Sequence, residues 1–169
     1  MVSLWSAFEV FVRDILIAVL NEKPLLSEKL LSDAGGKRYF DLPKVSIEDI
    51  SLYGYNFSNK MGIILFGSRD FSDIRAIQSA LNAIFDKTEL HTLLEDRSLW
   101  YLNQDRHLIV HRRGIVDNRY IQSTGCKYAC GSLISVPPLV MESYFAVVIR
   151  VAEALFATLD KHLNDRGRV

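Results

Sequence analysis

The sequence predicts an all-α fold, a bundle of four to five main helices with a long irregular segment near residues 35–57. Apolar residues recur at three- and four-residue steps over several long stretches, which is the spacing of one helix face. Few stretches alternate between apolar and polar residues, as half-buried strands do. At 169 residues, with no internal repeat or linker, the chain is expected to form one domain over residues 1–169.

The first helix is predicted from about Ser3 to Asn21, with a shared apolar stripe at Leu4, Phe8, Phe11, Val12, Ile15 and Val19. Pro24 fits the start of a short second helix that runs through Leu31. We expect the glycine pair at 35–36 to end that helix.

The segment 35–57 is predicted to contain one short helix, because Ser46 and Asp49 stand at the spacing of a capping pair. Ser58 is the expected cap of another short helix that ends at Gly67. Ser72 then opens a helix through Phe85, whose buried stripe is Ile74, Ile77, Leu81 and Ile84.

One long helix is predicted from about Thr88 to Arg113, ending at Gly114, since glycine favours the position after a helix. Its apolar side repeats every seven residues, at Leu94, Tyr101 and Leu108. A last long helix is expected from Pro138 to near the C-terminus.

Charge is balanced over the chain, with 20 basic and 20 acidic residues, so any nucleic-acid site must be local. The stretch from Asp105 to Arg119 contains four arginines and two aspartates, which gives it a local surplus of positive charge. The two cysteines, Cys126 and Cys130, have no second pair to complete a metal site. Without a signal peptide or an apolar span, we expect a reduced cytoplasmic protein that does not enter the membrane.

The stretch Arg106–Gly114 contains two histidines and three arginines within nine residues. Histidine exchanges protons near neutral pH, and arginine binds phosphate through a planar set of donors. The alternative is a solvated last helical turn whose cations interact with the helix dipole. On a helix with about 100° per residue, Arg106 lies roughly 140° from His111, so the two side chains cannot touch on one straight helix.

A polar stripe is expected on the same helix, formed by Trp100, Gln104, His107 and His111. Trp5 and Trp100 could stack on bases, although tryptophan is more often part of a core or an interface.

The order Arg106, a polar residue, three further residues and His111 resembles the motif of the HEPN superfamily of helical ribonucleases. The following Gly114-Ile115-Val116-Asp117 is similar to the flank of the RiboL-PSP type of HEPN domain. The polar position is His107, where the family more often has Asn or Asp.

The resemblance implies an HEPN-like bundle that forms a two-fold dimer with a composite active site and cleaves RNA without a metal or cofactor. His111 would be the general acid or base, Arg106 would stabilise transition-state charge, and His107 would position the phosphate or share the proton transfer. The implied RNA contacts are Arg112, Arg113 and Gln104. Such an enzyme would act as a toxin or as an antiviral or stress effector, restrained by an antitoxin or a sensor.

Two other classes of function fit the same residues. One is a non-catalytic HEPN-like domain that binds RNA or a protein partner. The other is an interaction domain without nucleic acid, which the zero net charge favours.

Overall fold

The computed structural model describes residues 1–41, 45–86 and 89–164, and within these residues it contains helices and no strand. In chain order the helices are α1 (Val2–Glu22), α2 (Leu26–Ser32), α3 (Ala34–Tyr39), α4 (Ile47–Leu52), α5 (Met61–Phe66), α6 (Ile74–Ile84), α7 (Glu89–Leu94), α8 (Arg97–Arg112), α9 (Asn118–Thr124) and α10 (Pro138–Asn164). The all-α prediction is confirmed. The longest helices are α1, α6, α8 and α10, with 21, 11, 16 and 27 residues.

Helix α1 has the predicted extent, and its buried face matches the predicted one only in part: Phe8 and Val12 are buried, whereas the other four predicted residues are half-buried. The stripe that is removed from solvent consists of Trp5, Phe8, Val12, Leu16 and Leu20. Apolar residues cover two adjoining faces of this helix, and periodicity alone does not tell which of them is buried. The Trp5 side chain is 0% exposed and belongs to the core, which is the more common place for tryptophan, so it is not available to stack on bases.

The chain divides into two compact units, and one of them is Glu9–Asp86. Within it, α2, α3 and α6 pack on one another. Helix α5 approaches α1 closely, because a Cβ added to Gly62 would lie 2.1 Å from the Ile17 carbonyl oxygen. The Gly62 amide also donates a hydrogen bond to Asn21 Oδ1 at 2.8 Å.

The prediction that the glycine pair at 35–36 ends the second helix is wrong, because the pair lies inside α3. Helix α2 ends at Ser32, and the Asp33 carboxylate then accepts a hydrogen bond from the Gly36 amide at 2.7 Å. A Cβ on Gly36 would lie 2.0 Å from the Leu30 carbonyl oxygen, so this glycine allows close backbone packing. The segment 35–57 is therefore less irregular than predicted, since it contains α3 and α4.

The predicted caps have mixed outcomes. Ser46 and Asp49 form the expected reciprocal pair at the start of α4. Ser58 does not cap α5, which begins after Lys60 without a side-chain cap, and Asp73 rather than Ser72 caps α6. At α6 the Asp73 carboxylate accepts a hydrogen bond from the Arg75 amide, while the Ser72 hydroxyl donates to Asp70, each at 2.9 Å. The predicted stripe of α6 is buried as expected.

The other unit comprises Met1–Phe8 and the described residues of Lys87–Val169, and it contains the histidine-rich stretch. The single long helix predicted from Thr88 to Arg113 is wrong, because α7 and α8 are separate helices. Asp96 caps α8 by accepting a hydrogen bond from the Ser98 amide at 2.8 Å. Thr88 lies outside the described residues.

Helix α10 begins at Pro138, as predicted, and packs against α7 and α8. Helix α9 was not predicted, and it packs on α8. In this unit the backbone therefore turns back on α8 immediately after the residues that we predicted to be functional.

Candidate functional site at the end of helix α8

Helix α8 ends in a tight left-handed turn. Arg113 and Gly114 have φ angles of 55° and 77°, and the Gly114 amide donates to the Leu108 carbonyl at 3.2 Å. The helix therefore stops within two residues of the predicted position. A left-handed residue costs little when it is glycine, so Gly114 lets the chain reverse here.

The segment 131–134 returns to this turn and is joined to it by backbone hydrogen bonds. The pairs are Val116 N to Ser132 O, Gly131 N to Val116 O, and Ile134 N to Gly114 O, each at 2.8 Å. Beneath them, Leu108, Val116 and Tyr120 form a buried cluster. The end of α8 is thus supported by backbone bonds and by apolar packing.

His107 and His111 form a pair of exposed rings on the last two turns of α8. Their centroids lie 4.5 Å apart and their planes are tilted by 47°. The pKa of His107 is below its ordinary value of 6.5, first because of partial burial and then because of the positive charges of His111, Arg119, Arg106 and Arg112. At neutral pH, His107 is therefore ready to accept a proton.

Arg106 does not converge with His111 within one chain. Helix α8 is continuous through Arg112, so these two side chains leave its axis roughly 140° apart. Arg106 is half-buried, and its Nε is buried without a hydrogen-bond partner among the residues that the structure describes. The structure brings the two histidines together and places Arg106 beside them on a different side of the helix.

The three residues predicted to contact RNA, Arg112, Arg113 and Gln104, differ from one another in their surroundings. Arg112 Nε lies 3.3 Å from Asp117 Oδ2, so its charge is partly compensated by an ion pair. Asp117 also caps α9 by accepting a hydrogen bond from the Tyr120 amide. Arg113 is exposed in the left-handed turn, and Gln104 is half-buried on α8. Both adjacent arginines are exposed, and of the two only Arg112 belongs to an ion pair of the described residues.

A buried carboxylate next to the motif was missed by the sequence analysis. Asp105 is 4% exposed and accepts hydrogen bonds from Tyr120 at 2.5 Å and from Tyr144 at 2.7 Å. Burial raises its pKa above 3.8, against the opposing effect of the two hydrogen bonds. The signal in the sequence was its position, three residues from both Leu102 and Leu108 and hence on the apolar side of the helix.

The described residues offer no group of three histidine, cysteine or acidic side chains that could bind a metal ion. Cys126 is half-buried in the cluster below the turn, Cys130 is exposed, and both are free thiols. None of the described helices has the length and apolar character needed to cross a membrane.

Comparisons with protein-family models, with curated proteins and with solved structures gave no match to this chain. The resemblance to HEPN ribonucleases therefore rests on the residues from Arg106 to Asp117 of the sequence. The activity that it implies is a proposal.

Proposed function

We propose that this chain is a metal-independent RNA endonuclease of the HEPN type, active as a homodimer. The observation that carries the proposal is the exposed pair of His107 and His111, with ring centroids 4.5 Å apart, among several arginines at the end of α8. Two imidazoles can supply a proton acceptor and a proton donor, and arginine can stabilise the charge on a phosphate.

In the proposed reaction an imidazole removes the proton from a ribose 2′-hydroxyl, and the 2′-oxygen attacks the adjacent phosphorus. The bond from phosphorus to the 5′-oxygen breaks, and a second imidazole, in its protonated form, gives that oxygen a proton. The products are a 2′,3′-cyclic phosphate and a 5′-hydroxyl, with no water consumed. His111 is the proposed acid or base and Arg106 the stabilising cation, while the lowered pKa of His107 favours a role as proton acceptor.

A second copy of the chain would complete the site, because Arg106 and His111 diverge on one helix. Exposed apolar residues beside the motif support such a dimer: Val110 is 45% exposed, Ile115 45% and Leu133 69%. Ile115 and Leu133 also form an isolated antiparallel bridge, which places the two side chains near each other. An apolar patch next to polar reactive groups is typical of a surface that another chain covers.

The test is incubation of the purified chain with RNA, with DNA and with RNA that carries 2′-deoxy sugars, all in EDTA. We expect cleavage of unmodified RNA only, and 2′,3′-cyclic phosphate ends. His111→Ala and Arg106→Ala should each lower the rate by about 100-fold or more. The matched control is Arg150→Ala, an exposed arginine on α10, which should cleave like the parent chain.

Strict dependence on Mg²⁺, or equal cleavage of DNA, would contradict the proposed mechanism. Binding of RNA without cleavage would support the alternative function, a non-catalytic domain that binds RNA or a protein partner. The zero net charge of the chain favours instead the third class of function, an interaction domain without nucleic acid, for which the parent chain would neither bind nor cleave RNA. Under the main proposal the biological role is that of a cytoplasmic toxin or an antiviral or stress effector, with an antitoxin or sensor as its partner.

A further inference from the structure

Helix α9 has a fixed position against α8. The Tyr120 side chain is 7% exposed, packs with Leu108 and Val116, and donates a hydrogen bond to the buried carboxylate of Asp105. Asp117 caps the same helix and pairs with Arg112. Because α9 is joined to α8 by these contacts, a side chain on its exposed surface has a defined place relative to the histidines.

Arg119 is the residue immediately before Tyr120, and its side chain is exposed. The ion pairs found within the described residues do not include it. Its charge acts on the ring of His107, where it contributes more to the lowered pKa than Arg106 or Arg112 does. Arg119 is thus a solvent-accessible cation on a second helix, outside the ion pairs of the described residues and near enough to His107 for its charge to act on that ring.

A phosphodiester carries one negative charge on two non-bridging oxygens, which the planar donor set of a guanidinium can bind together. Arg112 is less suited to this, since Asp117 already occupies its Nε side at 3.3 Å. We propose that Arg119 and His107 bind the same phosphate group of a single-stranded RNA. This role deepens the proposed function and rests on it, because the phosphate is that of the RNA substrate.

The probe for the experiment is a short fluorescent oligoribonucleotide with 2′-methoxy sugars, which the proposed reaction cannot cleave. Its Kd for the full chain is measured by fluorescence anisotropy over a range of salt concentrations. We expect Arg119→Ala to raise the Kd about tenfold and to reduce the slope of log Kd against log salt by about one. Arg119→Lys, which keeps the charge and loses the planar donors, should restore part of the affinity, and Arg150→Ala is the matched control.

A second measurement needs no RNA, namely the titration of His107 followed by NMR. Removal of the Arg119 charge should move the pKa of His107 upward, towards its ordinary value of 6.5. The proposal requires both results. It is overturned if Arg119→Ala binds the probe as tightly as Arg150→Ala does, or if the His107 pKa does not move.

The two proposals can fail separately. If the parent chain binds the probe and Arg119→Ala weakens binding, but unmodified RNA is not cleaved, the proposed ribonuclease is wrong and the phosphate site stands. If RNA is cleaved and Arg119→Ala behaves like the control, the phosphate site is wrong and the ribonuclease stands. A parent chain that does not bind the probe overturns the role of Arg119 as well.

Discussion

Asp105 is a charged side chain in the interior, and such a group is costly unless hydrogen bonds replace its hydration. Each of its two oxygens accepts one tyrosine hydroxyl, from Tyr120 on α9 and from Tyr144 on α10. Desolvation and the neighbouring carboxylate raise the pKa of both tyrosines above 10, so both remain donors. One carboxylate therefore links three helices directly beside Arg106.

The replacement Tyr144→Phe removes one of these two donors, so Asp105 Oδ2 loses the hydrogen bond from the Tyr144 hydroxyl. We expect the free energy of unfolding to fall by about 1–3 kcal/mol, the usual cost of a buried polar group that loses its partner. Urea unfolding followed by circular dichroism measures this change. Tyr128→Phe is the matched control, since the Tyr128 hydroxyl is bonded to Ser135 O on an exposed segment. An equal loss of stability in the two variants would contradict the role assigned to the hydrogen bonds of Tyr120 and Tyr144 to Asp105.

The same variant should show a distinct dependence on pH. The pKa of Asp105 is raised above 3.8 in the folded chain, so the folded state binds this proton more tightly than the unfolded state does. Stability from this group is present below pH 3.8 and is lost as the pH rises through the folded-state pKa. Tyr144→Phe removes a hydrogen bond that lowers that pKa, so its destabilisation should be smaller below pH 3.8 than at pH 7. Urea titrations of both chains at the two pH values test this, and a pH-independent difference would contradict it.

The break between α7 and α8 determines where the histidine-bearing helix begins. Asp96 caps α8, and its replacement Asp96→Ala should lower the free energy of unfolding by about 1 kcal/mol, because the Ser98 amide loses its acceptor. Thermal unfolding measures this loss. Glu95→Ala is the matched control, an exposed acidic neighbour that does not cap the helix. If Glu95→Ala were as destabilising as Asp96→Ala, the cap would not be the cause.

Several elements could be predicted from local patterns. Proline fits the first turn of a helix, which predicted the start of α10, and the spacing of Ser46 and Asp49 predicted α4. The break before α8 was missed, because the seven-residue repeat of Leu94, Tyr101 and Leu108 continues across it. Such a repeat predicts the apolar side of a segment but contains no information on a local interruption.

In the candidate site, too, some contacts could be predicted from local sequence patterns and others could not. The proximity of His107 and His111 follows from their spacing of four on one helix, and it was predictable. The Arg112–Asp117 pair and the effect of the Arg119 charge on His107 depend on how α9 folds back after Gly114. Both arise from tertiary structure, so no periodicity in the sequence could predict them.

The proposed dimer predicts the particle size in solution. We expect two chains per particle at micromolar concentration in sedimentation velocity. Leu133→Glu should favour the monomer, because it places a charge in the apolar patch beside the motif. The matched control is Leu25→Glu, a leucine of similar exposure, 75% against 69%, in the unit without the motif. A monomeric parent chain that still cleaves RNA would contradict the shared site.

The chain has two tryptophans, and they differ in their surroundings. Trp5 is 0% exposed and contacts Phe8, whereas Trp100 is half-buried on α8, on the same stripe as the histidines and about 10 Å along the helix axis from His107. An indole in an apolar interior emits at shorter wavelength than one that contacts water. We therefore expect the intrinsic fluorescence of this protein to have two components, a blue-shifted one from Trp5 in the core and a red-shifted one from the more accessible Trp100.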